Sequence, residues 1–118
     1  MTRRVLAILA IAGLLTGSPA LAADGAKTFQ FQCKTCHAAK SSPMGPSLVG
    51  VAGRKIASLS DFKYSAGLTA KAGATWTDAN LDAFLTTPAK FAPGTKMPSG
   101  VAAPADRAAV VAYLKGLK

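Results

Sequence analysis

The sequence predicts an all-α fold containing an unusual share of loop, and three observations lead there. Apolar residues recur at helical spacing in three stretches, no stretch alternates apolar and polar as a half-buried strand would, and two long segments rich in Gly, Pro and Ser separate the helical ones. Asp24 is placed to cap a first helix that runs into Cys33, with Phe29 one turn after Gly25 and Lys34 in its last turns. Residues 41–63 then read as loop. A turn or two of helix follows Tyr64, and a firmer one begins at Asp78, where Leu81, Phe84 and Leu85 share a face until Pro88 stops it. The stretch PAKFAPGTKMPSG (residues 88–100) reads as a second loop. Pro104 opens the last helix, with Val110, Tyr113, Leu114 and Leu117 facing inward.

The first 22 residues are expected to be a removable export signal. Arg3 and Arg4 precede the apolar run Val5 to Leu15, and Ala20 and Ala22 occupy the small-residue positions of a cleavage site. A membrane anchor fits less well, because a spanning helix needs about 20 apolar residues and Gly17, Ser18 and Pro19 interrupt this one. Residues 23–118 form one domain, exported to the periplasm and expected to be monomeric. It carries twelve basic residues against five acids, a formal +7, and every acid is an aspartate. The lysines are dispersed and the aromatics few, which argues against nucleic acid and favours a face that meets acidic proteins.

Residues 33–37, CKTCH, hold the only two cysteines and the only histidine of the chain. Zinc would need a fourth ligand or an open water position, and the stretch offers three soft donors. A thioredoxin-type pair would follow a strand at the head of a helix, and no strand pattern precedes Cys33. A structural disulfide across two residues would close a tiny loop and stabilise little, although the residues do not forbid it. Haem attachment fits best: thiols at i and i+3 add to two porphyrin vinyl groups, and the following histidine reaches the iron. A buried macrocycle also explains loops longer than about 12 residues in so short a chain.

Without a second histidine, the other axial position falls to Met, Lys, water or nothing. Met1 leaves with the signal, and Met44 would have to turn round the porphyrin edge within seven residues of His37. Met97 is 60 residues from His37, in a segment stiffened by Pro93 and Pro98, and is the expected ligand, a core methionine being the plainer reading. The metal ligands expected are therefore His37 and Met97.

The set CKTCH, GPSLVGVAGRK, Tyr64, Trp76, Leu81, Leu85, PAKFAPGTKMP and Ala112-Tyr113-Leu114-Lys115 resembles the class I mono-haem cytochromes c in order and spacing. The resemblance implies the small cytochrome c fold, helices and long loops wrapped around one haem c joined to Cys33 and Cys36. By position it implies that the Pro46 carbonyl accepts from His37, that Arg54, Tyr64, Trp76 and Thr95 lie near the propionates, and that Gly25 and Phe29 pack across Val110 and Tyr113. Phe84 stands where many relatives carry a tyrosine bonded to the methionine sulfur, Ser99 replaces a frequent aromatic, and Leu68 replaces a polar residue. The implied function is that of a soluble electron carrier, not an enzyme, without stable membrane insertion. The implied partners are acidic-faced redox proteins: an oxidase, a quinol-oxidising complex, a photosynthetic centre or a periplasmic dehydrogenase. A peroxidase-like enzyme or ligand sensor with a labile methionine is the alternative.

Overall fold

A computed structural model describes residues 23–118. The expected leader and its cleavage site lie outside the described residues. Five helices follow in order: α1 (Gly25–Gln32), α2 (Ala66–Thr69), α3 (Asp78–Thr86), α4 (Pro88–Phe91) and α5 (Pro104–Gly116). Extended pairing among the described residues amounts to two isolated bridges, Ser42 with Gly45 and Lys55 with Thr75.

Short polar side chains start the first three helices. Asp24 accepts from the Lys27 amide, Ser65 from Leu68 and Thr77 from Asn80, each satisfying a donor that the first turn leaves unpaired. α1 ends at Gln32, so Lys34 falls beyond the helix rather than in its last turns. The Lys34 amide bonds to the Phe29 carbonyl at 2.9 Å, as does that of Cys33, which closes the helix and leads into the CKTCH turns.

Pro88 corrects the expectation of an unbroken loop after α3. It does end α3, since Thr87 before it is held extended at φ −150°, ψ 91°, but it also begins the single turn of α4. A proline is tolerated at the first helical position because the amide it lacks would be unpaired there. The same economy starts α5 at Pro104.

The core forms where α1 and α3 meet α5. A Cβ on Gly25 would lie 2.7 Å from the Ala109 carbonyl carbon and closer still to its oxygen, so glycine lets the two helix backbones touch. The atoms nearest Gly25 across that crossing belong to Ala109 and Tyr113, and Phe29 and Val110 share the core cluster beside it. The Phe29 and Tyr113 rings sit 5.0 Å apart beside that crossing. On the other flank, Asp82 of α3 accepts from Arg107 at 2.7 Å and Asp78 from Lys115 at 2.9 Å. Both pairs have an exposed carboxylate, so they orient the helices more than they stabilise them. Ile56 and Val110 are the most completely enclosed large side chains. Val111 is buried too, and Leu117 acts as the cap that follows α5.

Candidate haem crevice

The helices do not close on one another completely. Between them runs a crevice of about 180 Å³, opening to an empty volume of about 1230 Å³ that includes outside solvent. Much of its wall is apolar: Phe29, Leu48, Val51, Phe62, Leu68, Trp76, Leu81, Phe84, Leu85, Val110 and Leu114 face it. Cys33, Cys36 and His37 line it, as do Pro46, Arg54, Tyr64, Thr95 and Met97. All nine sequence-predicted site residues therefore border one space.

The turn after α1 and the following strap set the histidine. His37 Nδ1 lies 2.9 Å from the Pro46 carbonyl oxygen, and because a carbonyl only accepts, Nδ1 carries the proton. The other ring nitrogen, Nε2, keeps its lone pair for a metal. Gly45 makes this approach possible. Its Cβ would lie 2.6 Å from the Cys36 carbonyl oxygen and 3.1 Å from His37 Nδ1, so any side chain would push the strap off the ring.

Neither cysteine is in a disulfide. Burial pushes the Cys33 thiol up, keeping it protonated at neutral pH, the reverse of the lowered thiol that disulfide exchange requires. Among the described residues, no group of three or more His, Cys, Asp or Glu side chains is arranged so that it could by itself hold a metal ion.

Around the crevice the polar groups are few and mostly occupied. Arg54 donates through Nη2 to the Ser47 carbonyl at 3.1 Å and through Nη1 to that of Val49 at 3.2 Å, which leaves Nε buried without a partner. A buried unpaired donor is costly and calls for an acceptor. Tyr64 Oη accepts from the Leu59 amide at 3.3 Å, and its own proton is left to donate. Thr95 Oγ1 accepts from the Met97 amide at 3.3 Å, so its part in the structure is to bend the strap that carries Met97. Trp76 lies nearly parallel to Phe91 at 5.8 Å and tilted on Phe84 at 5.3 Å; of the three rings Trp76 and Phe84 wall the crevice and Phe91 backs them. Met97 is half-buried against the core, whereas Met44 reaches the crevice from an exposed loop and is 64% exposed.

These residues fit a haem. The apolar wall suits a macrocycle, the buried arginine nitrogen suits a propionate, and thiol, thiol and imidazole come from one turn. Sequence reasoning missed Phe62, Leu48 and Val51 as wall residues. Phe62 could have been found from its place two residues before Tyr64, whose ring it meets edge-on at 5.0 Å, but Leu48 and Val51 lie in a loop without any period.

The family model described as Cytochrome c matches residues 22–118. The chain is 47% identical over 88 residues to cytochrome c2 iso-2 of Magnetospirillum fulvum, covering 72% of this chain and 91% of that protein. It is 44% identical over 98 residues to cytochrome c of Tetrahymena pyriformis, covering 81% and 88%. Against the cytochrome c homolog of Rickettsia felis identity is 44%, over 79% of this chain but only 55% of the relative, so the chain spans about half the length of that protein. Among solved structures, cytochrome cH from Methylobacterium extorquens superposes with a TM-score of 0.71 at 39% identity, covering 80% of this chain and 97% of the other. Ferricytochrome c2 from Rhodopseudomonas palustris gives 0.73 at 35%, covering 80% and 96%. The chain belongs to the cytochrome c family, as a class I mono-haem member with the small all-α fold and one haem c joined covalently through its CxxCH motif.

Proposed function

We propose that this chain is a periplasmic carrier that moves single electrons between redox proteins, with His37 and Met97 as the two axial ligands. One observation carries the reading: His37, with Nε2 left free by its bond to Pro46, and Met97, held by the Thr95 turn, border the same apolar crevice. Bound there, a haem supplies a one-electron ferric/ferrous couple. The Pro46 carbonyl fixes the imidazole orientation and raises its basicity. With Met97 as a ligand, the position where a substrate or dioxygen would otherwise enter would be filled, which supports a carrier over the peroxidase-like alternative. Arg54 and Tyr64 hold the propionates, Arg54 with the nitrogen that is otherwise unpaired. The apolar wall excludes water, so that little solvent has to reorganise as the charge changes.

The partner is an acidic-faced protein, supported by the formal +7 of residues 23–118 and by exposed Lys34, Lys90 and Lys96 around the residues named. Such attraction weakens as the screening length falls to about 8 Å at physiological salt. No helix among the described residues is long and apolar enough to cross a membrane. Carbon monoxide mixed with the reduced holoprotein tests the ligation directly. Binding should be slow and limited by departure of Met97. Rapid, saturating binding would favour the enzyme or sensor reading.

A further inference from the structure

Three large apolar side chains are strongly exposed among the described residues: Phe31 at 70%, Met44 at 64% and Val49 at 43%. Single exposed hydrophobic residues are ordinary and mean little. Their placement is what stands out. Met44 lines the crevice itself, Phe31 precedes the crevice residue Gln32, and Val49 follows the crevice residue Leu48.

Packing does not account for Phe31. α1 buries Phe29 and brings Gly25 up against α5, and a residue two places after Phe29 lies about 200° round the helix, away from that contact. A glutamine or lysine would serve the helix better there, since aromatic residues lose rotamer freedom on a helix surface. Charge completes the picture. In α1 and the turn after it, residues 25–36, the charged side chains are Lys27 and Lys34, and the nearest acid is Asp24, which caps the helix on the Lys27 amide. Lys27 precedes Phe31 by one turn on the same helix face, and Lys34 follows three residues later, both exposed.

We propose that Phe31 is the apolar anchor of a docking surface, inserting into an apolar pocket bordered by carboxylates on a redox partner, with Lys27 and Lys34 meeting the carboxylates. The inference rests on the electron-carrier reading and adds to it a residue that sets lifetime and selectivity. An apolar centre inside a charged rim divides the work: the lysines raise the rate of encounter and lose effect with salt, while the phenylalanine slows dissociation and is not screened.

The test is steady-state oxidation of the ferrous holoprotein by membrane vesicles of the source cell, at 20 mM and 300 mM salt. Phe31→Gln should raise KM about tenfold at the higher salt with kcat unchanged, and Phe31→Leu should recover most of that loss. The pair Lys27→Gln and Lys34→Gln should raise KM at low salt only. Oxidation by ferricyanide should be the same for all variants, showing that the haem site is intact. A KM for Phe31→Gln within twofold of the parent at both salts would overturn the proposal. So would a phenylalanine effect confined to sedimentation with phosphatidylglycerol vesicles, which makes the occupant a lipid surface, or to self-association in the ultracentrifuge, which makes it a second copy. Ferrous parent protein that ferricyanide oxidises but the membranes do not would sink the carrier reading itself, a different result from a silent Phe31 substitution.

Discussion

Gly67→Ala sets two opposite effects against each other, and the structure decides between them. Gly67 lies in α2, where alanine is favoured over glycine by about 0.5–1 kcal/mol. By propensity alone the substitution stabilises. Yet a Cβ at Gly67 would lie 2.7 Å from the Ala92 carbonyl carbon and closer to the Pro93 oxygen. Ordinary contact starts at 3.4 Å, so the two backbones must part by at least about 0.7 Å, and no flexible side chain is available to absorb the shift. Overpacking of this kind costs about 1–3 kcal/mol, which outweighs the propensity gain. The net loss should be about 1–2 kcal/mol. It should also be felt at a definite place, because Ala92 and Pro93 begin the strap that holds Met97. The assay is guanidinium unfolding of the ferric holoprotein, together with its weak far-red sulfur-to-iron band and the rate of cyanide binding. The band should weaken and cyanide should enter about tenfold faster. A variant that is more stable, with an unchanged band and cyanide rate, would show that α2 does not brace the Met97 strap.

Three further outcomes follow from the same geometry. Met97→Ala should abolish the far-red band and admit carbon monoxide rapidly, while Met44→Ala should do neither; the opposite pattern, read in absorption spectra, would reverse the ligand assignment. Cys33→Ser with Cys36→Ser should leave a chain that folds poorly by circular dichroism, because the apolar walls of the crevice would then face water instead of a covalently held macrocycle, a large loss for a small domain. Ala57 holds a left-handed backbone at φ 55°, so Ala57→Val should lower the unfolding free energy by about 1–2 kcal/mol while Ala57→Gly stays near the parent in the same denaturant titration.

Much of this protein is decided by the sequence without help from its fold. The Asp24, Ser65 and Thr77 caps act within three residues, so the starts of α1, α2 and α3 are local matters that a reader of the chain can see or nearly see. CKTCH is local as well: two thiols and an imidazole within five residues carry their chemistry wherever the chain places them. Pro88 was harder, because one proline can end a helix and begin another, and which it does depends on whether four residues find a wall to pack against. Here Phe91 finds Trp76 and Phe84.

Other features come from residues far apart in the chain, and only the tertiary structure decides them. Gly25 is needed because Ala109 passes beside it, and Gly67 because Pro93 does; a glycine by itself does not say which backbone it admits. The free lone pair of His37 depends on a carbonyl nine residues away that Gly45 lets approach, and the unpaired Arg54 nitrogen appears only once Ser47 and Val49 have taken the others. Phe31 is one aromatic among seven others until the crossing of α1 and α5 turns Phe29 inward and leaves it facing out. Covalent chemistry and helix capping are short-range and can be read along the chain, whereas burial and close approach are properties of surfaces that exist only after the chain has packed.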